Sequence, residues 1–556
     1  MEKTEKMKHT ILVICSLVCS LAAFGQKTES HNAEIAHHLE LFDDIYKQLD
    51  IYYVDTLSAD TTIGWAIKSM LGHVDPFTQY YPADDEELRQ MATGKYAGIG
   101  SVIRYNTKEK RAMIIEPYEG TPSQKAGIQA GDIILTIDGK DVVGMNTSDV
   151  SGMLRGEPGT SFELRVKRES EQKPLSFRLT RETIQLPAVP YYGMQPDGVG
   201  YVYLSSFASG STQEMRHAIA DLKAQGMKRL VLDLRDNGGG AIEEAIGIVN
   251  LFVAKGLKVV YTKGKMASSN RDYYTTQEPL DTTTPIVVLV NGSTASAAEI
   301  LSGSLQDMDR AVVMGRRTYG KGLVQAIHEV PFRGNLKITI SRYYIPSGRC
   351  IQAYDYRHLT ADGRVGTVPD SLTNVFYTRG GREVRDGGGI KPDITVEEDS
   401  LSSVAIDLVN SDELFHFATR YVRQHPTIAP ASRFRISEAE YREFVDYIVG
   451  SGFECHRRTD EVLKLLREAA RLEGCYDKAQ EEFTRLEEKL KGNLTDDLLR
   501  QRDVIAPYLE DEIVSRYYYQ KGRTEHLLLN DKVYERAVRL LDDPAAYQKI
   551  LSPSKL

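Results

Sequence analysis

The segment Val290–Gln325 reads VNGSTASAAEILSGSLQDMDRAVVMGRRTYGKGLVQ. An apolar strand, predicted over Ile286–Val290, ends at Asn291-Gly292, and a cluster of small residues then leads into an amphipathic helix. A serine at the start of that helix can be exposed beside free backbone N–H groups and the positive end of the helix dipole. These are two requirements for a nucleophile whose product is an oxyanion.

The second half of the segment is another short strand followed by Gly320-Lys321-Gly322. Glycines on both sides of Lys321 let the backbone bend tightly and bring the ammonium group into a crowded site. A lysine near a serine can act as a general base if burial lowers its pKa from about 10.4 to roughly 7–8. Taken alone, neither half of the segment is decisive.

Together the two halves resemble the C-terminal processing peptidases, which are serine proteases of the tail-specific type. Three serines compete for the role of nucleophile: Ser293, Ser296 and Ser302. In the family motif the nucleophile lies in a small-residue run shortly before a glutamate and 25 positions before the lysine, which selects Ser296, with Glu299 as the glutamate.

Two further residues match family positions: Asp307, eleven positions after Ser296, and Gln325, one helical turn beyond Lys321. The resemblance implies that Gln325 orients Lys321 and that Asp307 supports the site without joining the proton transfer. Ser296 could also be a plain helix N-cap, a role that serine often takes. The matched lysine, aspartate and glutamine favour the catalytic interpretation.

Residues 190–398 alternate between strand and helix patterns, which indicates a mainly parallel sheet covered by helices. The predicted strands are Val199–Leu204, Arg229–Leu234, Leu257–Tyr261 and Ile286–Val290, and the predicted helices are Ser211–Ala224 and Ala241–Phe252. The resemblance implies an α/β protease domain of the type shared with the crotonase and Clp protease folds, extending through Gly388–Asp393.

The segment Asp233–Gly240, DLRDNGGG, joins a predicted strand to a predicted helix. A glycine run there exposes N–H groups at a helix N-terminus, which is the setting that an oxyanion hole needs. The resemblance implies that Gly238 or Gly239 donates together with the amide of Ala297. Taken alone, the glycine run would indicate a tight turn.

Residues 93–183 change to short strands and glycine turns, and Tyr96–Gly100 and Gly131–Gly139 (GDIILTIDG) resemble a PDZ domain. In such domains a loop offers N–H groups to the terminal carboxylate of a peptide, while the peptide adds a strand to the sheet edge. The resemblance places Ala97, Gly98, Ile99 and Gly100 in that loop, although these glycines can also serve turns alone.

Arg155 lies late in the PDZ-like segment and leaves two interpretations open. It is either a solvated charge at a helix end or a regulatory latch between the PDZ and protease domains, because guanidinium groups suit ion pairs at interfaces.

A chain of 556 residues is too long for one hydrophobic core, and three or four domains are expected. The predicted order is a helical segment over 33–92, an inserted PDZ domain over 93–183, the protease domain over 190–398 and an all-helical, highly charged domain over 400–556. This last domain could pack around the protease domain, bind a partner or form a homo-oligomer.

The N-terminus predicts a signal peptide over residues 1–25, in which three lysines precede an apolar run, Ile11–Ala23, and a small-residue cleavage site. The run is short for a membrane span, and an uncleaved anchor is the alternative. We expect export to the periplasm. Export would permit disulfides, so Cys455 and Cys475 could pair or remain free, with Cys350 left over.

Other functional classes are disfavoured. Net charge of −9 without a basic face gives no reason to expect nucleic acid, and the absence of HExxH or Cys/His ligand spacing predicts no metal or other cofactor. Gly315–Lys321 fits the first seven positions of a phosphate-binding loop, but Gly322 stands where a hydroxyl is needed. A serine–histidine pair with His217 or His328 is also disfavoured, because no G-x-S-x-G elbow surrounds Ser296.

These observations predict an exported serine endopeptidase whose PDZ domain captures a free, nonpolar C-terminus of a protein or peptide. Lys321 takes the proton of Ser296, Ser296 attacks a nearby carbonyl, and water hydrolyses the acyl-enzyme. The alternatives are a PDZ-bearing binding or scaffold protein with an inactive protease domain, and a crotonase-like acyl hydrolase.

Overall fold

A computed structural model of the chain describes residues 31–83, 85, 88, 94–331, 333–359, 365–397, 401–490 and 492–552. The predicted signal peptide, residues 1–25, lies outside these ranges. The chain forms two compact units, Met1–Tyr80 and Tyr81–Leu556. Every helix in the described ranges is too short or too polar to span a lipid bilayer.

The first unit is helical, as its apolar periodicity predicts. Helix α1 covers residues 31–52 and α2 covers Ala59–Gly72. The turn that follows is held by Asp75, whose carboxylate accepts hydrogen bonds from the N–H groups of Phe77 at 2.8 Å and Thr78 at 2.7 Å. A short strand, β1 (Gln79–Pro82), comes next.

The predicted PDZ domain is a six-stranded antiparallel sheet with two helices and a separate strand pair. Its elements are β2 (Lys95–Gly98), β3 (Ser101–Asn106), β4 (Arg111–Pro117), α3 (Pro122–Lys125), β5 (Ile133–Ile137), β6 (Lys140–Asp141), α4 (Thr147–Leu154), β7 (Ser161–Lys167), β8 (Leu175–Thr180) and β9 (Glu182–Gln185). The sheet order is β3-β4-β5-β7-β8, with the short β6 beside β5, and β2 pairs with β9. Strand β3 therefore lies at the sheet edge, and α4 packs beside it.

The protease domain contains the alternating strands and helices that its sequence predicts. Its elements are β10 (Tyr191–Gln195), β11 (Val199–Tyr203), α5 (Ser211–Ala224), β12 (Arg229–Asp233), α6 (Ile242–Phe252), β13 (Lys258–Gly264), β14 (Arg271–Tyr274), β15 (Ile286–Val290), α7 (Ala297–Asp307), β16 (Val312–Gly315), β17 (Leu323–Val330), β18 (Gly334–Tyr344), β19 (Tyr354–Leu359), β20 (Val365–Thr367), β21 (Val375–Tyr377), β22 (Glu383–Arg385) and β23 (Ile394–Thr395). The main sheet has the order β10-β11-β12-β15-β16-β23 and is parallel except for β10. Strands β13, β14, β17 and β18 form a second, antiparallel sheet.

The C-terminal helical domain comprises nine helices within the described residues. They are α8 (Ser403–Asn410), α9 (Glu413–Gln424), α10 (Glu438–Gly450), α11 (Arg458–Leu472), α12 (Gln480–Leu490), α13 (Leu494–Arg500), α14 (Arg502–Leu527), α15 (Lys532–Leu541) and α16 (Pro544–Leu551). A separate apolar core, with Phe417, Phe444 and Leu509 among its buried members, holds α8–α10 with α13 and α14.

The last two helices complete the protease domain. Side chains alternate across a strand, so the main sheet presents one apolar face to α5–α7 and a second apolar face, which includes Val231 and Leu289, to α15 and α16. The hydroxyl of Tyr547 also accepts from the N–H of Ile286 at 3.0 Å and donates to its carbonyl at 2.9 Å. The sequence left several roles open for the C-terminal helical domain. The structure shows that its helices α15 and α16 pack against the protease domain.

The helical domain also contacts the PDZ domain. Phe415 packs against Met113 and Ile133 on the PDZ sheet. Asp412 forms an ion pair with Arg104 at 2.6 Å. Helix α14 is kinked at Tyr519, whose φ is 52°, and the Tyr519 hydroxyl accepts from Gln124 of the PDZ domain at 3.1 Å.

We expect Leu540→Ala to destabilise the protein by about 2–4 kcal/mol, because Leu540 is 8% exposed and fills the layer over the main sheet. The matched control is Leu472→Ala, which shortens a leucine that is 90% exposed. Denaturant unfolding followed by circular dichroism measures both. Equal effects for the two variants would contradict the assignment of α15 to the protease core.

Candidate active site

Ser296 sits at the sharp turn between β15 and α7, directly before the first residue of the helix. Its backbone has φ 58° and ψ −116°, a left-handed conformation that is rare for a residue other than glycine. Such a conformation costs about 1–3 kcal/mol and persists only where surrounding contacts enforce it. The N–H of Ser296 donates to the Glu299 carboxylate at 2.8 Å, and its carbonyl accepts from the N–H groups of Glu299 at 2.9 Å and Ile300 at 3.0 Å.

Glu299 is wholly buried. It joins the turn that carries the candidate nucleophile Ser296, here called the nucleophile turn, to residues 318–322, here called the lysine loop. Its Oε2 accepts from the N–H of Ser296 at 2.8 Å and from the N–H of Lys321 at 2.9 Å. Its Oε1 accepts from the N–H of Gly320 at 2.8 Å and from the Thr318 hydroxyl at 2.5 Å. One carboxylate thus holds the main chains of two residues that are 25 positions apart.

Burial raises the pKa of Glu299 to about 7, while the four donated hydrogen bonds act in the opposite direction. The ionised carboxylate is an acceptor at every lone pair, so it can take all four bonds. A protonated carboxyl would present an O–H toward groups that are themselves donors. The connection between the two loops is therefore strongest when Glu299 is ionised.

The lysine loop is fixed at several further points. Thr318 also accepts from the N–H of Ile390 at 2.6 Å, and Gln352 accepts from the N–H of Gly322 at 2.8 Å. Tyr343 of β18 donates to the carbonyl of Lys321 at 2.8 Å. The partners Ile390, Gln352 and Tyr343 all follow the loop in sequence. Segments from the second half of the domain therefore complete the site.

The glycine loop lies against the nucleophile turn. A Cβ added to Gly239 would stand 2.8 Å from the Ser296 Cβ and 2.9 Å from the Ala297 nitrogen, so this approach requires glycine. The N–H of Gly239 already donates to the Asn237 side chain at 2.9 Å. Of the two glycines predicted as oxyanion donors, Gly238 is therefore the better candidate beside Ala297.

Asn237 was not identified from the sequence, yet it connects three segments. Asn237 is fully buried, and its side-chain amide donates to the Leu204 carbonyl at 2.7 Å. Its main-chain carbonyl accepts from the N–H of Ala295 at 2.9 Å. The signal that could have found it is the Asp-Asn-Gly turn sequence, in which asparagine commonly bonds to the backbone two residues on.

The predicted peptide-binding loop of the PDZ domain has a defined conformation. Ala97 and Gly98 lie in β2, and Ile99 and Gly100 make the turn into the edge strand β3. The carbonyl of Gly100, whose φ is 74°, accepts from the Thr121 hydroxyl at 3.0 Å and from the Ser123 hydroxyl at 2.8 Å. The loop thus ends beside an open strand edge and helix α4, the arrangement that strand addition uses.

Comparisons with known proteins match all three globular parts. The model of peptidase family S41 matches residues 198–371, a PDZ model matches residues 113–168, and the model described as "Probable PDZ-protease, C-terminal helical domain" matches residues 404–541. The carboxy-terminal-processing protease of Bartonella bacilliformis is 33% identical over 342 residues, covering 60% of this chain and 78% of that protein. The chain belongs to peptidase family S41.

A further relative agrees with this assignment. The carboxy-terminal processing protease CtpA of Bacillus subtilis is 30% identical over 363 residues, covering 63% of this chain and 76% of that protein. A solved structure, the photosystem II D1 C-terminal processing protease, is 28% identical with a TM-score of 0.35 and covers 64% of this chain and 86% of that chain. The chain is a serine peptidase of the carboxy-terminal-processing type.

The structure corrects the predicted relation between Lys321 and Gln325. The S41 peptidase has strand β17 at this point, so the prediction that Gln325 follows Lys321 by one helical turn is wrong. The Gln325 amide donates to the Thr339 hydroxyl on β18 at 3.1 Å, next to a register shift between Val324 and Gln325. A four-residue spacing is compatible with both a helix and a strand, and the pairing with β18 decided between them.

Asp307 lies at the other end of α7 from Ser296, about 16 Å away at the ordinary helical rise. Its carboxylate pairs with the buried Arg349 at 2.8 Å and accepts from Ser347 N–H at 3.0 Å. These contacts anchor the far end of α7. The supporting role of Asp307 in the site stays a prediction.

Arg155 directly follows α4 and stacks on Tyr96, with its guanidinium carbon 5.1 Å from the ring centroid. This contact is within the PDZ domain of the peptidase, beside Gly98. The residue is half-buried, which does not fit a fully solvated charge. The regulatory latch to the protease domain stays a prediction.

The remaining candidates do not form sites in the described part of the peptidase. His217 and His328 are exposed, and no group of three or more metal-ligating side chains occurs there. Cys350, Cys455 and Cys475 are free thiols. The phosphate-loop-like segment before Lys321 leads into β17 and not into a helix, so it lacks the helix N-terminus that binds phosphate.

We expect Glu299→Gln to lower peptide cleavage by the enzyme at least about 100-fold. The new NH₂ group cannot accept, so two of the four donated bonds are lost, at about 1–3 kcal/mol each. The measurement is kcat with a fluorogenic peptide. Glu468→Gln, at an exposed glutamate of α11, is the control. Wild-type kcat in Glu299→Gln would refute the role of this carboxylate.

Proposed function

We propose that this peptidase is an exported endopeptidase that captures a free C-terminus in its PDZ domain and cleaves nearby with a Ser296–Lys321 dyad. The observation that carries the proposal is the buried carboxylate of Glu299, which bonds to the N–H groups of both residues. A buried carboxylate that bonds to the main chains of both residues is explained if their two side chains react together.

In the proposed reaction, neutral Lys321 takes the proton of the Ser296 hydroxyl as the oxygen attacks the scissile carbonyl. The N–H groups of Gly238 and Ala297 donate to the developing oxyanion. Lys321 then gives its proton to the leaving amine, and the acyl-enzyme remains. Water, activated by the neutral lysine, hydrolyses the ester and restores Ser296. Gln325 orients Lys321 in this scheme.

Substrate capture follows from the PDZ geometry. The loop Ala97–Gly100 offers backbone N–H groups to the terminal carboxylate, and the peptide main chain pairs with the open edge of β3. The core side chains at this groove are apolar, among them Ile99, Val150 and Leu154. A nonpolar last residue is therefore the preferred substrate end.

The cellular setting remains a proposal as well. The lysines and apolar run of residues 1–25 support export to the periplasm, where unfolded protein tails are available as substrates. A homo-oligomer through the C-terminal helical domain also remains a prediction, although this domain already covers the protease sheet and contacts the PDZ domain.

Digestion of an unfolded protein with a nonpolar tail tests the dyad. We expect Ser296→Ala and Lys321→Ala each to lower cleavage by at least about 1,000-fold, since members of a catalytic unit are not additive. Mass spectrometry of wild-type products should show fragments from the tail, and amidation of the substrate C-terminus should reduce kcat/KM. Undiminished cleavage by either variant would refute the dyad, while binding without cleavage by the wild type would indicate a scaffold.

Activity should rise toward alkaline pH for two reasons. Lys321 must be neutral to act as a base, and Glu299, with a pKa of about 7, must be ionised to accept its four bonds. Each group loses one proton on the way to the active form, so the slope of log kcat/KM against pH should approach about 2 below pH 7 and fall to about 1 above it. A slope that never exceeds one would contradict the role of Glu299.

A further inference from the structure

Tyr343 lies on β18 and is 1% exposed, in the core between the two sheets of the protease domain. Its hydroxyl donates to the carbonyl of Lys321 at 2.8 Å and to the carbonyl of Ser296 at 3.1 Å. Its own N–H donates to the carbonyl of Gly322 at 3.0 Å. A residue that is distant in sequence from Ser296 thus contacts both candidate catalytic residues through their main chains.

The Tyr343 contacts complement those of Glu299. Glu299 accepts from the N–H groups of Ser296 and Lys321, and Tyr343 donates to the carbonyl groups of the same two residues. Each catalytic residue is therefore held at both of its main-chain polar groups by one shared pair of side chains. This four-bond arrangement defines the separation and the relative orientation of the two backbones.

We propose that Tyr343 is a positioning residue for peptide cleavage, which fixes the Lys321 backbone against that of Ser296 and so sets the approach of the amine to the hydroxyl. The inference rests on the proposed Ser296–Lys321 dyad. A single O–H shared between two carbonyls bonds well only where the two carbonyls converge, so the shared bond selects one spacing of the two loops. Loss of that bond leaves the two carbonyl groups without their common donor, while Glu299 still holds the N–H groups of Ser296 and Lys321.

The chemistry of the phenol suits a permanent donor. Burial raises the pKa of Tyr343 well above its usual range, and the nearby Glu299 and Cys350 act in the same direction. The hydroxyl therefore keeps its proton throughout the pH range in which the enzyme would work. Glu299 must therefore lose its proton to hold the site, whereas Tyr343 must keep its proton.

A structural role for the Tyr343 ring has to be separated from the role of its hydroxyl. Tyr343→Phe keeps the ring in the core and removes the oxygen alone. Tyr441→Phe is the matched control, because Tyr441 is also 1% exposed and donates to a carbonyl, that of Leu498, at 2.9 Å in the helical domain. Both variants lose one buried phenol hydroxyl that donates to main-chain carbonyl groups, and only Tyr343→Phe loses it at the candidate active site.

The test measures kcat, KM, the pH profile and thermal unfolding for the wild type and both variants. We expect Tyr343→Phe to lower kcat by about 10- to 100-fold, in line with the loss of a buried donor, with KM changed by less than about twofold. The pH at which the activity of Tyr343→Phe rises should also shift, because the environment of the Lys321 amine changes. Tyr441→Phe should keep wild-type kcat and pH profile.

The rate at which a phosphonate reagent labels the active serine gives a second readout that counts only folded sites. Slower labelling in Tyr343→Phe than in Tyr441→Phe supports the proposal even if both variants are less stable. Wild-type kcat, labelling rate and pH profile in Tyr343→Phe would overturn it. Ser296→Ala and Lys321→Ala are measured in parallel, and retained cleavage in either would show that the dyad itself had failed.

Discussion

The site depends on one buried carboxylate, that of Glu299, which requires hydrogen-bond donors from the protein. Glu299 lies where no solvent can stabilise its charge, so its oxygens have to be satisfied by the protein. The groups that satisfy them belong to the nucleophile turn and to the lysine loop, including Ser296, Thr318 and Lys321. The requirement for hydrogen bonds at one side chain thus brings two distant segments together and holds Ser296 in a strained conformation.

A second constraint comes from the main sheet of the protease domain. Parallel strands are apolar on both faces, and the helices between the strands cover one face here. Burying the other face, which includes Val231 and Leu289, requires helices from elsewhere in the chain, and α15 and α16 supply them. Because the same helical domain packs on the PDZ sheet through Phe415, it is a physical link between the PDZ domain and the protease domain.

Local patterns predicted most of the architecture. The bounds of Ser211–Ala224 and Ile286–Val290 agree with the structure residue for residue, because periodicity and strong strand breaks are local properties. The prediction for Gln325 was wrong, since its spacing from Lys321 suits two kinds of element and the partner strand is supplied by a later segment. Asn237, Thr318, Tyr343 and Gln352 were missed, because residues that act through the main chain of others carry no chemistry of their own in the sequence.

The sequence by itself determined the family, the order of domains and the identity of the candidate nucleophile, base and glycine loop. These depend on residue types at short or constant spacings, which motifs preserve. Only the tertiary structure decided what joins Ser296 to Lys321, which glycine amide is already engaged by Asn237, and what the C-terminal helices cover. Those outcomes depend on which buried polar groups and apolar faces meet, and a linear sequence does not state where separate segments come into contact.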